Sequence, residues 1–281
     1  MKKRRIGLIG LACLTAGIGL AGCVGSSEQP TETTTTAEIT TAEVTQADIE
    51  KMIIGSWIVA ERKGQPALTN EKSVFTFESP TKAYVSASFN ARPELGIEWL
   101  NMLESEVEIK GNKVTITRKG GGEATMVNEL TISNITDAET RGDLVSKLVD
   151  NGKETVITEE QIRFVKVKDD YSKDILGTWE GHCTSEGSVY DDGQEHRWEY
   201  KEDGTYVYYH KDGDNWVPSD DKLNDYFVDG NLLCTRWGDG NTEDREWWEI
   251  TIDGDTMNWT ALRENEGGST FTATFEMNKV K

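Results

Sequence analysis

The three histidines of this chain, His182, His196 and His210, fall in one short stretch, with Cys183 beside the first. Imidazole and thiolate are the donors of zinc and copper sites, so this is the first grouping to weigh. Strand alternation opposes it. If Trp179 points into a barrel, Cys183 shares its phase and His182 does not, while His196 shares the phase of Trp198. The set cannot converge without breaking the period of a strand, and rim residues are the expectation, with no metal. The acidic stretches Asp191-Asp192, Asp212-Gly213-Asp214-Asn215 and Asp239-Gly240-Asn241 have the composition of calcium loops. None has the sixth-position Gly and twelfth-position Glu of an EF-hand, and hairpin turns account for them. A Gly-x-Ser-x-Gly elbow, a His-Glu-x-x-His pair and a phosphate loop are all missing, and the first half has no histidine at all. The expectation is a protein that is not an enzyme, with no catalytic residue and no cofactor.

Aromatic side chains are the other chemistry-bearing group. Seven of the nine tryptophans lie after residue 170. The turn Glu202-Asp203-Gly204 reads as a three-residue hairpin with Gly in the left-handed position, which pairs Tyr200 with Tyr206. That register puts Trp198, Tyr200, Tyr206 and Tyr208 on one face. Alternation on later strands adds Tyr226, Trp248, Trp259, Phe271 and Phe275. These nine are the candidate ligand-binding residues. An eight-stranded barrel is just wide enough to be filled by side chains or to hold one small ligand. Buried Tyr and Trp need polar partners, which suits an amphipathic pocket, while their bulk suits a solid core.

The elements that position these residues follow from a repeat. Ile175-Leu176-Gly177-Thr178-Trp179 recurs 122 residues upstream as Ile53-Ile54-Gly55-Ser56-Trp57, and Asp48 and Lys51 match Asp170 and Lys173 at the same offset. A period of about one domain length implies two tandem modules, residues 49–168 and 169–281. In the first, strand-like stretches fall at 54–61, 73–78, 82–89, 105–110, 113–118, 124–133, 144–150 and 161–167. A short helix is expected over 93–103, where Leu95, Trp99 and Leu103 have helical spacing. The second reads as strands at 175–184, 195–201, 205–211, 224–228, 232–237, 245–252, 256–263 and 269–277. Turn signals such as Gly111-Asn112, Asn151-Gly152 and Asp253-Gly254-Asp255 separate them. The fold class is all-β: two antiparallel eight-stranded barrels in tandem, closed so that no edge is exposed.

Gly-x-Trp on the first strand, an aromatic strand turning through Asp203-Gly204-Thr205, the middle turn Gly230-Asn231 and a closing Lys279-Val280 resemble bacterial lipocalin-like domains of the calycin group. The first module has Gly55/Trp57, Gly111-Asn112 and Lys166-Val167, but Ser79-Pro80-Thr81 where Asp-Gly-Thr is expected. The resemblance implies that Trp57 and Trp179 plug one end of each barrel. Gly55 and Gly177 then let a neighbouring backbone come close, and Lys166 and Lys279 cover the rings by cation–π contact. Cys183 and Cys234 are the cysteines of the two modules. Strands one and five of a round barrel lie on opposite sides, so a disulfide would need a flattened one.

The N-terminus carries an address. Lys2-Lys3-Arg4-Arg5, an apolar Gly-rich run from Ile6 to Leu20 and Leu20-Ala21-Gly22-Cys23 have the layout of a secretory signal, too short to span a bilayer comfortably. Leu-Ala-Gly-Cys resembles the bacterial lipobox, which implies removal of residues 1–22 and lipidation of Cys23 (a palmitate-type acyl anchor). Residues 23–48 then form a Thr-rich, disordered tether. Removing residues 1–22 takes four of the 30 basic residues and none of the 50 acidic ones, leaving a formal charge of −24. Such a surface disfavours nucleic acid as a partner.

The sequence thus points to an extracytoplasmic lipoprotein of the cell envelope, held to its membrane through Cys23. It would bind a small hydrophobic or amphipathic ligand in the second barrel without catalysis. The alternative is a structural or interaction lipoprotein whose barrels are solid and whose protein partner is unknown.

Overall fold

The computed structural model describes residues 44–86, 103–119, 124–239 and 244–281. The leader, Cys23, the tether up to residue 43 and the helix expected over 93–103 (apart from Leu103) lie outside the described residues. The chain is all-β, in two curled antiparallel sheets of nine strands each.

One short helix, α1 (Gln46–Met52), precedes the first sheet, and the sequence reading missed it. Thr45 caps it: its hydroxyl accepts from the Asp48 N–H, and the Asp48 carboxylate accepts from the Thr45 N–H at 3.1 Å. The apolar side of α1 turns Ile49, fully buried, onto the barrel floor. The strands are β1 (Gly55–Arg62), β2 (Gln65–Pro66), β3 (Val74–Ser79), β4 (Lys82–Ser86), β5 (Leu103–Lys110), β6 (Lys113–Lys119), β7 (Thr125–Ile135), β8 (Glu139–Asp150) and β9 (Lys153–Lys166). Strands β1 and β3–β9 form a meander, and β1 pairs back onto β9 to close an eight-stranded barrel. The interior is largely aliphatic: Val59, Val107, Ile109, Val114, Ile116, Leu130, Ile132, Leu144 and Ile162, with Trp57, Phe77 and Phe164. The β8–β9 hairpin is much longer than the sequence reading made it, and Val156 and Ile157 near its tip are more than half exposed.

The second sheet consists of β10 (Gly177–Cys183), β11 (His196–Tyr200), β12 (Tyr206–Asp212), β13 (Asn215–Pro218), β14 (Leu223–Asp229), β15 (Leu232–Gly238), β16 (Asp244–Asp253), β17 (Thr256–Glu264) and β18 (Thr270–Lys279). Eight of the nine match expected strands. The ninth, β13, is a four-residue hairpin partner of β12. The spatial order β13-β12-β11-β10-β18-β17-β16-β15-β14 makes a curled half-barrel, not a fully laced one. Its seam is pinned at the floor, where Thr205 bridges Asp225, the Tyr226 N–H donates to the Gly204 carbonyl at 2.8 Å and the Tyr226 hydroxyl donates to the Lys201 carbonyl. Toward the other end β12 turns away to pair with β13.

The two barrels pack against each other through Ile58, Val74, Phe227, Leu232, Cys234 and Trp247. A single 3-10 turn, Thr69–Glu71, docks on β16 and β17. There the Leu262 N–H donates to the Thr69 hydroxyl at 2.9 Å, and Lys72 pairs with Glu249 at 2.7 Å. Cys234 therefore faces the other barrel while Cys183 packs toward the interior of its own. Both thiols are free, and four strand-to-strand steps separate β10 from β15.

Candidate functional site

The Gly-x-Trp repeat builds the same device at the floor of each barrel. Trp57 stands opposite Lys166, and Trp179 opposite Lys279, as cross-strand neighbours. The ammonium groups sit 5.0 and 4.9 Å from the ring centroids. Each indole N–H donates to a carbonyl four residues back, Ile53 for Trp57 and Ile175 for Trp179. The reason for the glycines differs from the one expected. Gly55 and Gly177 have φ of +112° and +111°, and a Cβ there would meet the Cε of Lys166 at 3.0 Å and of Lys279 at 3.2 Å. Glycine leaves room for the lysine stem that covers the ring, not for a neighbouring backbone.

Above the second floor the nine aromatic candidates come together. Tyr200, Tyr206, Tyr226, Trp248, Trp259 and Phe275 are buried in one cluster, with Trp198, Tyr208 and Phe271 packed against it. It has two tiers. Near the floor Tyr200 meets Tyr206 and Tyr226, at 5.9 and 4.8 Å between centroids. Higher up, Trp259 lies 4.7 Å from Trp198, 5.3 Å from Trp248 and 5.7 Å from Phe275. These are edge and tilted packings, the geometry aromatic quadrupoles favour. Among these aromatic side chains the Tyr200 hydroxyl and the Trp259 N–H are buried with no hydrogen-bond partner among the described residues. Burial drives the Tyr200 phenol well above its usual pKa, so it stays a neutral donor.

Three residues that the sequence reading passed over complete the upper tier. Glu246 shares the inward phase of Trp248 and Ile250 on β16, and Arg263 shares that of Trp259 and Ala261 on β17. Tyr190 belongs to no strand. It comes from the β10–β11 connection, and its ring packs edge-on against Trp248 at 5.3 Å and Phe275 at 6.4 Å. Its hydroxyl donates to Glu246 Oε1 at 2.8 Å, and the Trp248 N–H donates to Oε2 at 3.3 Å. The guanidinium of Arg263 lies 4.8 Å over Trp248 and 5.9 Å from the Tyr190 ring, and it donates to the Trp247 carbonyl at 2.7 Å. Desolvation raises the Glu246 pKa, partly offset by Arg263 and the two donors, and the same burial raises that of Tyr190. Alternation could have exposed Glu246 and Arg263, since charged residues at inward positions are the informative exceptions. Nothing local in the sequence marks Tyr190.

His196 and His210 are cross-strand partners, but the three histidines do not gather at one point. His196 stacks over Tyr208, with Nδ1 2.8 Å from its hydroxyl and Nε2 3.1 Å from Asp192. Burial pushes the Tyr208 phenol up to about 12. His182 lies on the outer side near Glu195, and His210 is exposed at the rim. Among the described residues no three His, Cys, Asp or Glu side chains gather as a metal site requires. A groove of about 760 Å³ runs between the barrels, lined among others by Arg62, Glu160, Leu262 and Thr270. It is separate from the aromatic interior.

No protein-family model and no curated protein matches this chain. Among solved structures it aligns with a protein of unknown function from the DUF3598 family of Nostoc punctiforme, at 12% identity, over 84% of this chain and 100% of that one, with a TM-score of 0.25. It also aligns with a double mutant of transferrin-binding protein B from Haemophilus parasuis, at 13% identity, over 81% of this chain and 59% of that one, with a TM-score of 0.24. At these values neither likeness carries an argument about function. Among the described residues no helix is long and apolar enough to cross a membrane.

Proposed function

We propose that this chain is a membrane-anchored extracytoplasmic lipoprotein with two lipocalin-like barrels. Its second barrel binds a small hydrophobic or amphipathic molecule and performs no chemistry on it. One observation carries the reading: an aromatic interior holds a buried phenol and a buried indole N–H with no partner among the described residues. A buried polar group left unpaired costs about 1–3 kcal/mol, and a ligand with both apolar surface and a polar group would recover it. The contrast with the aliphatic first barrel supports the assignment to the second. The address rests on the lipobox-like run ending at Cys23, and the net charge argues against a polyanionic partner.

The test is a titration of the purified chain with a fluorescent fatty acid and with anilinonaphthalene sulfonate, read by energy transfer from tryptophan. Saturable binding that weakens in Trp198→Ala, while the far-ultraviolet spectrum is kept, is the expected result. No saturable binding of either probe removes the reading. The ring-to-ring contacts that fill the upper tier favour a second one, a solid barrel that meets another envelope protein through its loops. In that case a pulldown from native membranes recovers a partner while every small molecule leaves the melting temperature unchanged.

A further inference from the structure

The residues described above for the upper tier of the second barrel come from its strands, with one exception. Trp198 comes from β11, Tyr208 from β12, Glu246 and Trp248 from β16, Trp259 and Arg263 from β17, and Phe275 from β18. Among the described residues of this tier, Tyr190 arrives instead from a connection, the run between Cys183 and His196. That run is held mainly by contacts within itself and to its own ends. The Ser188 N–H donates to the Ser185 carbonyl, the Asp191 N–H to the Ser188 carbonyl, and the Gly187 N–H to the Asp191 carboxylate. Asp192 meets His196, and Ser185 meets Cys183 and the Thr274 N–H. Val189, next to Tyr190, is 85% exposed. The phenol ring is thus the part of this segment driven into the barrel.

What surrounds the ring has the make-up of a binding site. Trp248 and Phe275 present aromatic surfaces to it, and the Arg263 cation lies within reach of its π-face. The half-buried Glu246 carboxylate accepts a hydrogen bond from its hydroxyl at 2.8 Å. The Arg263 Nε, buried on the same side, has no partner among the described residues. A cation near the face favours an electron-rich ring. A desolvated carboxylate that already takes a bond from Trp248 demands one more donor, and charge-assisted bonds of this kind are the strong ones.

We propose that Tyr190 occupies, from within the chain, a site for a planar electron-rich ring bearing one hydrogen-bond donor, of which a phenol is the type. The inference rests on the ligand-binding reading of the second barrel and narrows its ligand. A free phenol takes the place of the Tyr190 ring between Trp248 and Phe275, its hydroxyl donates to Glu246, and the 184–195 connection swings outward. The segment then reports occupancy at the barrel rim, where Val189 and the acidic turn Asp191-Asp192 already face solvent.

Tyr190→Ala removes the internal occupant, and p-cresol and toluene are the probes, equal in shape and differing in the hydroxyl. Calorimetric titration is expected to show p-cresol binding Tyr190→Ala at least about tenfold more tightly than toluene, the scale of a hydrogen bond to a charged acceptor. That preference should vanish in Tyr190→Ala/Glu246→Leu, whose side chain accepts no hydrogen bond. In the unaltered chain, saturating p-cresol should speed amide hydrogen exchange across residues 186–193 while the β16 and β17 amides stay protected. This second readout needs no variant to fold. Equal affinity for the two probes, absence of binding, or unchanged exchange across 186–193 overturns the proposal. If that happens while the fluorescent fatty acid still binds the unaltered chain, the general reading of the barrel stands and only the Tyr190 site falls.

Discussion

Lys279→Met separates the charge of the floor device from its packing. Methionine keeps most of the apolar stem that lies across Gly177 and Trp179 but removes the ammonium 4.9 Å from the ring and its 3.3 Å bond to the Asp174 carbonyl. A cation–π contact is worth about 0.5–1 kcal/mol when exposed and about 2 kcal/mol when desolvated. Lys279 is half-buried, and the long hydrogen bond adds little, so the expected loss is about 1–2 kcal/mol. Lys279→Ala also strips the stem from a fully buried indole and should lose roughly 1 kcal/mol more, at about 0.8 kcal/mol per methylene uncovered. Urea unfolding followed by tryptophan fluorescence measures both, with the slope checked for constancy. Gly177→Ala completes a cycle. The alanine Cβ meets Lys279 Cε at 3.2 Å on a backbone with φ of +111°. Its cost should therefore be smaller in the Lys279→Ala background, leaving about 1–3 kcal/mol of backbone strain alone. If Lys279→Met is as stable as the parent while Lys279→Ala is not, the ammonium contributes nothing and the cation–π argument fails. Lys166→Met on Trp57 repeats the test in the first barrel.

Three further outcomes are expected. Burial holds the folded-state pKa of Glu246 above its unfolded value, so the stability this group contributes is fully present below the ordinary carboxylate range and is lost as pH rises through the folded-state value. Relative to Glu246→Gln, the parent should lose urea resistance across that window; parallel pH profiles would refute it. Trp247→Ala, which removes the largest side chain from the cluster between the barrels, should cost about 3–5 kcal/mol and split the unfolding transition in two. One undiminished transition would show that the barrels are not coupled through this cluster. Cys234, wholly buried with its thiol pKa raised by that burial, should resist iodoacetamide in the native protein while partly exposed Cys183 reacts. Peptide mass spectrometry reads the difference, and equal labelling before unfolding would contradict the burial.

Where one face of a strand is wet and the other dry, the chain was legible. Tyr200 and Tyr206 pair as the Asp203-Gly204 turn requires, and alternation brought all nine aromatic candidates into one cluster. The strand period failed where both faces are wet. From Lys153 to Ile157 the β8–β9 hairpin is exposed throughout, so no alternation marks it. The four-residue β13 ends in Pro218, and α1 is too short to show a helical period, although its Thr45–Asp48 cap could be read.

Local pattern and turn chemistry by themselves determined the class of fold, the pairing of most strands and the inward face of each, because those depend on neighbours two or a few residues away. The placement of Trp57 and Trp179 under a lysine is what the resemblance of the Gly-x-Trp and Lys-Val motifs implied. Only the tertiary structure decided that the second sheet stays unlaced at its upper end, that Cys234 faces the other barrel, and that glycine at 55 and 177 makes room for a lysine stem. It alone decided that Tyr190 enters the interior to meet Glu246 and Arg263. These contacts join residues 56 and 73 positions apart, and in the unfolded chain nothing distinguishes a tyrosine bound for solvent from one bound for a half-buried carboxylate.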